Sequence, residues 1–162
     1  MPFTRALLLT ATCAALLTAC GGDDDSDSSA GTTAAPAAST LTAAEYAEQG
    51  NKLCAAYEVD AAAAQGQADP EDPAAILTEN AELFSAMLDE LEALQPPEDL
   101  AAQHDELIQN GRGIADSFGE MAAATEAGDD AAFQEASEKI EAANEPGNEL
   151  ATELGLTDCA SD

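Results

Sequence analysis

Apolar side chains recur at intervals of three and four residues over most of the chain after residue 41, which places them on one face of an α-helix. The pattern divides into four segments, and residues that cap or terminate helices stand between them. No segment alternates apolar and polar residues as a half-buried strand does, and Val59 is the only valine. The pattern therefore predicts an all-α fold, a four-helix up-down bundle over residues 41–162.

The first two predicted helices have clear ends. Thr42 and Glu45 have the spacing of a capping box at the start of the first helix, which we expect to run to about Ala64. Asp72-Pro73 supplies an N-cap and a proline at the first position of the second helix. Pro96-Pro97 ends that helix, because proline lacks the backbone N–H that a helix needs.

The last two helices are bounded in the same way. Pro97-Glu98-Asp99 is predicted to start the third helix, with acidic groups favoured by the helix dipole, and Gly128 to end it. Asp129 caps the fourth helix, and Gly155 closes it. Pro146 lies inside the fourth helix and is expected to kink it.

The first 20 residues have the pattern of an export signal. One basic residue, Arg5, precedes an apolar stretch at 6–17 that is too short to span a bilayer, so residues 1–19 are predicted to be a signal peptide. An uncleaved anchor or a buried helix is the alternative. Leu17-Thr18-Ala19-Cys20 resembles the lipobox of bacterial lipoproteins. Cys13 fits that pattern less well, because no aliphatic residue stands at the matching position before it.

The lipobox resemblance implies the location of the protein. Cys20 would carry diacylglycerol and further acyl chains such as palmitate, and two or more chains give stable anchoring. The expected location is the outer face of the plasma membrane, or the outer membrane in a two-membrane cell.

Residues 20–40 contain no large apolar side chain and are predicted to be a disordered tether. The aspartates at 23–27 lack the glycine and distal glutamate of an EF-hand loop, so a solvated charge run is favoured over a calcium site.

The net charge limits the possible partners. The chain has 33 Asp and Glu against 4 Lys and Arg, a net charge of −29. This charge argues against nucleic acid and against an anionic membrane surface, and it favours basic proteins or divalent cations. Aromatic and large aliphatic residues are scarce, which predicts a small core and disfavours a deep apolar cavity. A halophilic source would produce similar acidity.

Two cysteines remain once the signal peptide and the lipidated cysteine are set aside. Cys54 lies in the middle of the first predicted helix and Cys159 follows the fourth, and exported chains keep disulfides. A Cys54–Cys159 disulfide is therefore predicted. The alternative is a pair of redox-active thiols, which the absence of a Cys-x-x-Cys spacing disfavours.

Little in the sequence indicates catalysis or a metal. His104 is the only histidine, and a half-buried structural histidine is favoured over a ligand or a base because zinc sites need several His or Cys ligands. Acidic pairs at i,i+3 are typical of a solvated face. No phosphate-binding loop or nucleophile motif is found. The sequence therefore predicts no cofactor, no metal site and no enzymatic activity.

One further resemblance covers residues 41–159. Leu94-Gln95-Pro96-Pro97-Glu98-Asp99-Leu100, His104-Asp105, Gly155-Leu156 and Cys159 are similar to small helical lipoproteins and secreted proteins of high-GC Gram-positive bacteria. That group has no activity that can be transferred to this chain. The favoured function is a non-catalytic interaction or binding module of the cell envelope. The alternative is a solute- or metal-binding accessory of a transport system, for which His104 and Asn80 are the candidate ligand residues.

Overall fold

The computed structural model describes residues 40–160 of the chain. These residues form four α-helices and no strand, and the helices are α1 (Ala43–Gln67), α2 (Pro73–Glu92), α3 (Ala101–Ala127) and α4 (Asp130–Glu153). The predicted all-α four-helix bundle is thus confirmed. The predicted signal peptide, Cys20 and all but the last residue of the predicted tether lie outside the described residues.

The start of α1 has the predicted capping box. The Thr42 hydroxyl accepts a hydrogen bond from the backbone N–H of Glu45 at 3.3 Å, and the Glu45 carboxylate accepts one from the backbone N–H of Thr42 at 2.9 Å. Two of the four N–H groups that a helix start leaves unpaired are satisfied in this way. The helix then continues to Gln67, three residues beyond the predicted end at Ala64.

Helix α3 begins later than predicted. The predicted start was Pro97, whereas the helix begins at Ala101 after an isolated turn. In that turn the backbone N–H of Leu100 donates to the Pro97 carbonyl at 2.9 Å, three residues back rather than four. Leu100 occupies the N-cap position without a side-chain acceptor, so no side chain extends the helix backwards.

The junction between α3 and α4 follows the prediction. Gly128 adopts a left-handed φ of 65° and ends α3, a conformation that glycine adopts without a steric penalty. The Asp129 carboxylate then accepts hydrogen bonds from the N–H groups of Ala131 and Ala132 at 3.2 and 3.1 Å. Helix α4 runs unbroken through Pro146, which is exposed and has no backbone N–H to donate to the carbonyl four residues earlier.

The four helices do not close into a complete ring. The backbone of α3 lies close to those of both α2 and α4, whereas the backbone of α1 lies close to that of α2 alone. No Cα atom of α1 lies within 8 Å of a Cα atom of α3 or α4. The bundle therefore has a gap between α1 and α4, and other parts of the chain must connect these two helices.

The segment that follows α4 fills one end of this gap, and we call residues 154–160 the C-terminal clasp. Gly155 has a left-handed φ of 75°, which turns the chain back towards α1. The backbone N–H of Leu156 donates to the Ala151 carbonyl at 2.8 Å, the long hydrogen bond of a Schellman-type helix end. Leu156 is fully buried and packs directly on Gly50 of α1, where a β-carbon would collide with it.

Polar and covalent bonds complete the clasp. The Asn51 side chain donates to the Gly155 carbonyl at 3.0 Å and accepts from the backbone N–H of Asp158 at 2.9 Å. Cys54 and Cys159 form a disulfide with Cα atoms 5.1 Å apart, at a sequence separation of 105 residues. The cysteine pairing expected from the sequence is therefore present at disulfide distance.

The core lies beside the clasp and between α2 and α3. Its largest fully buried side chains are Tyr46, Leu91 and Leu156. The remaining members of the same cluster are aliphatic or small, namely Leu88, Leu107, Ile108, Ala115, Ala151 and Leu154. The small core predicted from composition matches this cluster.

Candidate ligand-binding recess

The gap between α1 and α4 forms a recess of about 330 Å³ that is partly open to solvent. All four helices and the clasp contribute side chains to its walls. Leu88, Leu91 and Leu107 of the core form part of its floor, and Ile114 and Ile140 add further aliphatic surface. Its volume lies at the lower end of the range that is usual for sites of small ligands.

Two glycines determine how this space is shaped. A β-carbon at Gly111 would lie 2.6 Å from a methyl group of Leu88, and one at Gly147 would lie 2.7 Å from the Asn110 side chain. These glycines let α2, α3 and α4 pack closely, while α1 stays apart from α4. The scarcity of large apolar residues disfavoured a cavity, but the recess arises from this helix spacing rather than from a large core.

Aromatic rings and sulfur atoms line one side of the recess. The rings of Tyr57 and Phe84 are tilted against each other, with centroids 5.3 Å apart, and Phe118 adds a third ring. The sulfur of Met87 lies 3.9 Å from the Cys54 sulfur of the disulfide. Three of the five Tyr and Phe residues in the described part of the chain therefore line the recess, and we call them its aromatic wall.

Another part of the lining carries polar groups, and we call it the asparagine wall. Asn110, Asn144 and Asn148 line it, and the Asn110 amide donates to the Ala143 carbonyl of α4 at 3.2 Å. These amides provide both hydrogen-bond donors and acceptors next to an otherwise apolar space.

Two exposed carboxylates, those of Glu58 and Asp158, complete the lining. Burial raises the pKa of the Tyr57 hydroxyl, and the negative charge of Glu58 raises it further.

Among residues 40–160, no positive side chain lines the recess. The three Lys and Arg residues of the described chain are held in ion pairs elsewhere, as Lys52 with Glu48, Arg112 with Asp89 and Glu92, and Lys139 with Glu120 and Glu135. The recess is thus apolar inside, with amide groups on one wall and negative charge at its exposed residues.

His104 lies outside the recess, in the α1–α3 contact. It is 3% exposed, and its Nδ1 is hydrogen-bonded to the Tyr46 hydroxyl at 2.8 Å. The two rings meet edge to face with centroids 5.6 Å apart. This pair connects α1 to α3 although their backbones are not adjacent.

Burial controls the protonation of this pair. It lowers the pKa of His104 below its ordinary value, although Asp105 and Glu92 act in the opposite direction. It raises the pKa of Tyr46 to about 12. The histidine is therefore held as neutral imidazole beside a protonated phenol, an arrangement that suits a structural hydrogen bond between two helices.

The structure does not bring the two predicted ligand candidates together. Asn80 is half-buried on α2 and does not line the recess, and His104 is bonded to Tyr46. Within residues 40–160, no group of three or more His, Cys, Asp or Glu side chains is placed to hold a metal ion. Among the same residues, no helix has the length and apolar character of a membrane span.

The asparagine wall was missed by sequence reasoning. Asn110 and Asn144 stand on different helices, and only the packing of α3 against α4 brings them to one wall. One signal was present in the sequence: Asn110 and Gly111 interrupt the apolar stripe of α3, and Asn144, Gly147 and Asn148 interrupt that of α4. Polar and glycine positions on the inner faces of two helices are where a bundle can form an internal site.

Comparison with known proteins identified no relative of this chain. No known family matches the sequence, and no curated protein or solved structure is significantly similar to it. Inferences about function therefore rest on the residues and their geometry.

Proposed function

We propose that the protein is a lipid-anchored, non-catalytic binding protein of the cell envelope that holds one small, mostly apolar ligand in the recess. The observation that carries the proposal is the recess of about 330 Å³, with its aromatic wall, its asparagine wall and its opening to solvent. A concave, mainly apolar space with a few convergent polar groups is the usual form of a small-molecule site.

The anchoring part of the proposal rests on the sequence. Leu17-Thr18-Ala19-Cys20 follows a short apolar stretch, and the resemblance to a lipobox makes Cys20 the attachment point for diacylglycerol. The Cys54–Cys159 disulfide supports an extracytoplasmic location, because disulfides persist in oxidising compartments.

The non-catalytic part is supported by the chemistry of the lining. The described residues that line the recess include no Ser, Thr, His or Lys, and Cys54 and Cys159 are joined in the disulfide, so a hydroxyl or thiolate paired with an imidazole or amine base is not available there. The one histidine is buried against Tyr46 in another part of the bundle. Asparagine amides orient a bound molecule, but they do not transfer protons near neutral pH.

A transport accessory is the second candidate function, and the same recess favours it. A half-open site allows a ligand to enter and leave, as delivery to a membrane partner requires. The two functions differ in exchange rate: a transport accessory must release its ligand within the time of a transport cycle. Stopped-flow measurement of the off-rate for any ligand identified distinguishes them.

Binding can be tested with the uncharged fluorophore N-phenyl-1-naphthylamine, which brightens in apolar surroundings. We expect saturable binding with one site per chain. Asn144 is exposed and lines the recess, so Asn144→Trp places an indole across the opening and should abolish the signal. Ala142→Trp is the matched control, because Ala142 is exposed on the same helix and does not line the recess. Equal loss in both variants, or no saturable binding to the native protein, would refute the proposal.

The anchor needs a separate experiment. Cys20→Ala should leave the chain unprocessed or mislocalised, and the protein should move out of the detergent phase in a detergent-partitioning assay. Cys13→Ala is the matched control and should be processed and anchored normally. Identical partitioning of both variants and the native protein would refute lipidation at Cys20.

A further inference from the structure

The composition of the recess indicates which ligands it accepts. Its walls combine three aromatic rings, of Tyr57, Phe84 and Phe118, with two exposed carboxylates, of Glu58 and Asp158. Rings attract cations through the negative charge on their faces, and carboxylates add a direct Coulomb attraction.

The positions of the positively charged side chains argue against an anionic ligand. An anionic head group would find no Lys, Arg or His side chain among the lining residues. Each Lys and Arg of the described chain is already paired with carboxylates outside the recess. A fatty acid or another organic anion would therefore lose its hydration without gaining a charge partner, which strongly disfavours binding.

We propose that the recess is a site for an organic cation, a quaternary or tertiary ammonium group attached to a small apolar body. This inference rests on the proposed binding function and adds the ligand class to it. The ammonium group lies against the rings of Tyr57 and Phe84 and next to the Glu58 carboxylate, while the apolar body contacts the leucines of the floor. A quaternary ammonium suits such a wall because it is weakly hydrated and donates no hydrogen bonds that the rings would leave unsatisfied.

Three probes of similar shape and different charge test the ligand class. Benzyltrimethylammonium is the cation, neopentylbenzene is its uncharged carbon isostere, and 4-tert-butylbenzoate is an anion of similar size. Each is titrated against the native protein loaded with N-phenyl-1-naphthylamine, and displacement of the fluorophore is measured. We expect the cation to displace it at about tenfold lower concentration than the isostere, since cation–π attraction in a desolvated site is worth that much. The anion should not displace it below the highest soluble concentration.

Two variants locate the preference within the recess. The double variant Glu58→Gln with Asp158→Asn should lose most of the cation's advantage over the uncharged isostere, and the ratio of the two displacement concentrations measures this loss. Glu106→Gln with Asp116→Asn changes the net charge equally at exposed positions of α3 that do not line the recess, and this control should behave as the native protein does. Tyr57→Leu keeps the wall apolar but removes one ring, and it should reduce the ratio of cation affinity to isostere affinity.

The outcomes separate the two proposals. Failure of the fluorophore to bind the native protein would remove the proposed function and this inference with it. Binding of the fluorophore with equal displacement by cation and isostere, or with displacement by the anion, would overturn the ligand class and leave the binding function standing. An equal loss of cation affinity in the α3 control would show that the attraction is due to net charge alone, and it would also overturn the inference.

Discussion

The two sides of the bundle are held together by different means. On one side, α2, α3 and α4 pack helix against helix, and Gly111 and Gly147 allow close approach. On the other side, α1 reaches the rest of the domain through α2, the Tyr46–His104 hydrogen bond and the clasp. The first side is stabilised by continuous contact, and the second by a few strong point attachments with a recess between them. An all-α domain with few large apolar residues can thus keep an internal space if a covalent bond replaces part of the packing.

The disulfide should have the largest effect on this comparison. Replacing both Cys54 and Cys159 by Ala should lower the free energy of unfolding by about 4–5 kcal/mol, the chain-entropy value for a loop of this length. Urea unfolding of the native protein and the double variant gives this difference. Reducing agent should destabilise the native protein and leave the double variant unchanged, which controls for other effects of the reagent.

Amide hydrogen exchange of the variant that lacks Cys54 and Cys159 compares the two sides of the bundle directly. Without the disulfide, amides of α1 should exchange through partial opening, while those of α3 should exchange only with global unfolding. Uniform exchange of α1 and α3 in the double variant would show that the two sides are equally cohesive, contrary to our description.

Two glycine substitutions, one at the contact and one as a control, test the packing of α1 against the clasp. Gly50→Ala should destabilise the domain by about 1–3 kcal/mol, because a β-carbon at this position collides with the buried Leu156 side chain. Gly113→Ala is the matched control, since nothing lies within 4 Å of the added atom on an exposed face of α3. That control should stabilise by about 0.5–1 kcal/mol through helix propensity. Stabilisation by both substitutions in thermal unfolding would contradict the tight contact between α1 and the clasp.

The Tyr46–His104 pair should make the α1 attachment sensitive to pH. The pKa of His104 is lower in the folded protein than its ordinary value of 6.5, so the unfolded chain binds a proton more readily. This contribution to stability is complete above about pH 6.5 and is lost as the pH falls towards the lower folded pKa. His104→Gln should be less stable than the native protein at pH 7.5, and the difference should shrink by pH 5. A difference that stays constant over this range would count against a buried neutral histidine.

The smallest loss of stability is expected when ion pairs are removed on the well-packed side, between α2, α3 and α4. Arg112 of α3 pairs with Asp89 and Glu92 of α2, and these carboxylates, Asp89 first, raise the pKa of the guanidinium. All three groups are solvent-accessible, and water and salt screen such pairs, so Arg112→Gln should lower the melting temperature only slightly. Lys139→Gln serves as a comparison at the α3–α4 side. A fall in melting temperature as large as that of Gly50→Ala in either variant would mean that ion pairs, rather than packing, hold this side together.

Local sequence signals predicted the fold well and the recess poorly. The capping box at Thr42, the αL turn at Gly128 and the cap at Asp129 depend on neighbouring residues, and each appears where it was expected. The pairing of Cys54 with Cys159 followed by elimination. The start of α3 was placed too early because a proline followed by acidic residues fits an isolated turn as well as a first helical turn.

The recess could not be predicted because it depends on which helices fail to meet. Hydrophobic periodicity shows which face of a helix is buried, but it does not show the distance between α1 and α4. His104 and Asn80 were chosen as polar residues on apolar stripes, and the same criterion applied to Asn110 and Asn144 would have found the polar wall. The pairing of His104 with Tyr46 needed the tertiary structure, since the two residues are 58 positions apart.

The clasp also imposes an order of events on biosynthesis. Cys159 leaves the ribosome 105 residues after Cys54, a delay of about 5–20 s at ordinary rates of elongation. During this time α2 and α3 can already pair through contacts between neighbours in the chain, whereas α1 has no covalent partner and Gly50 has no Leu156 against it. Cys54 must therefore stay reduced until the end of the chain arrives. The recess therefore gains its last wall in the final step of folding, when the disulfide closes.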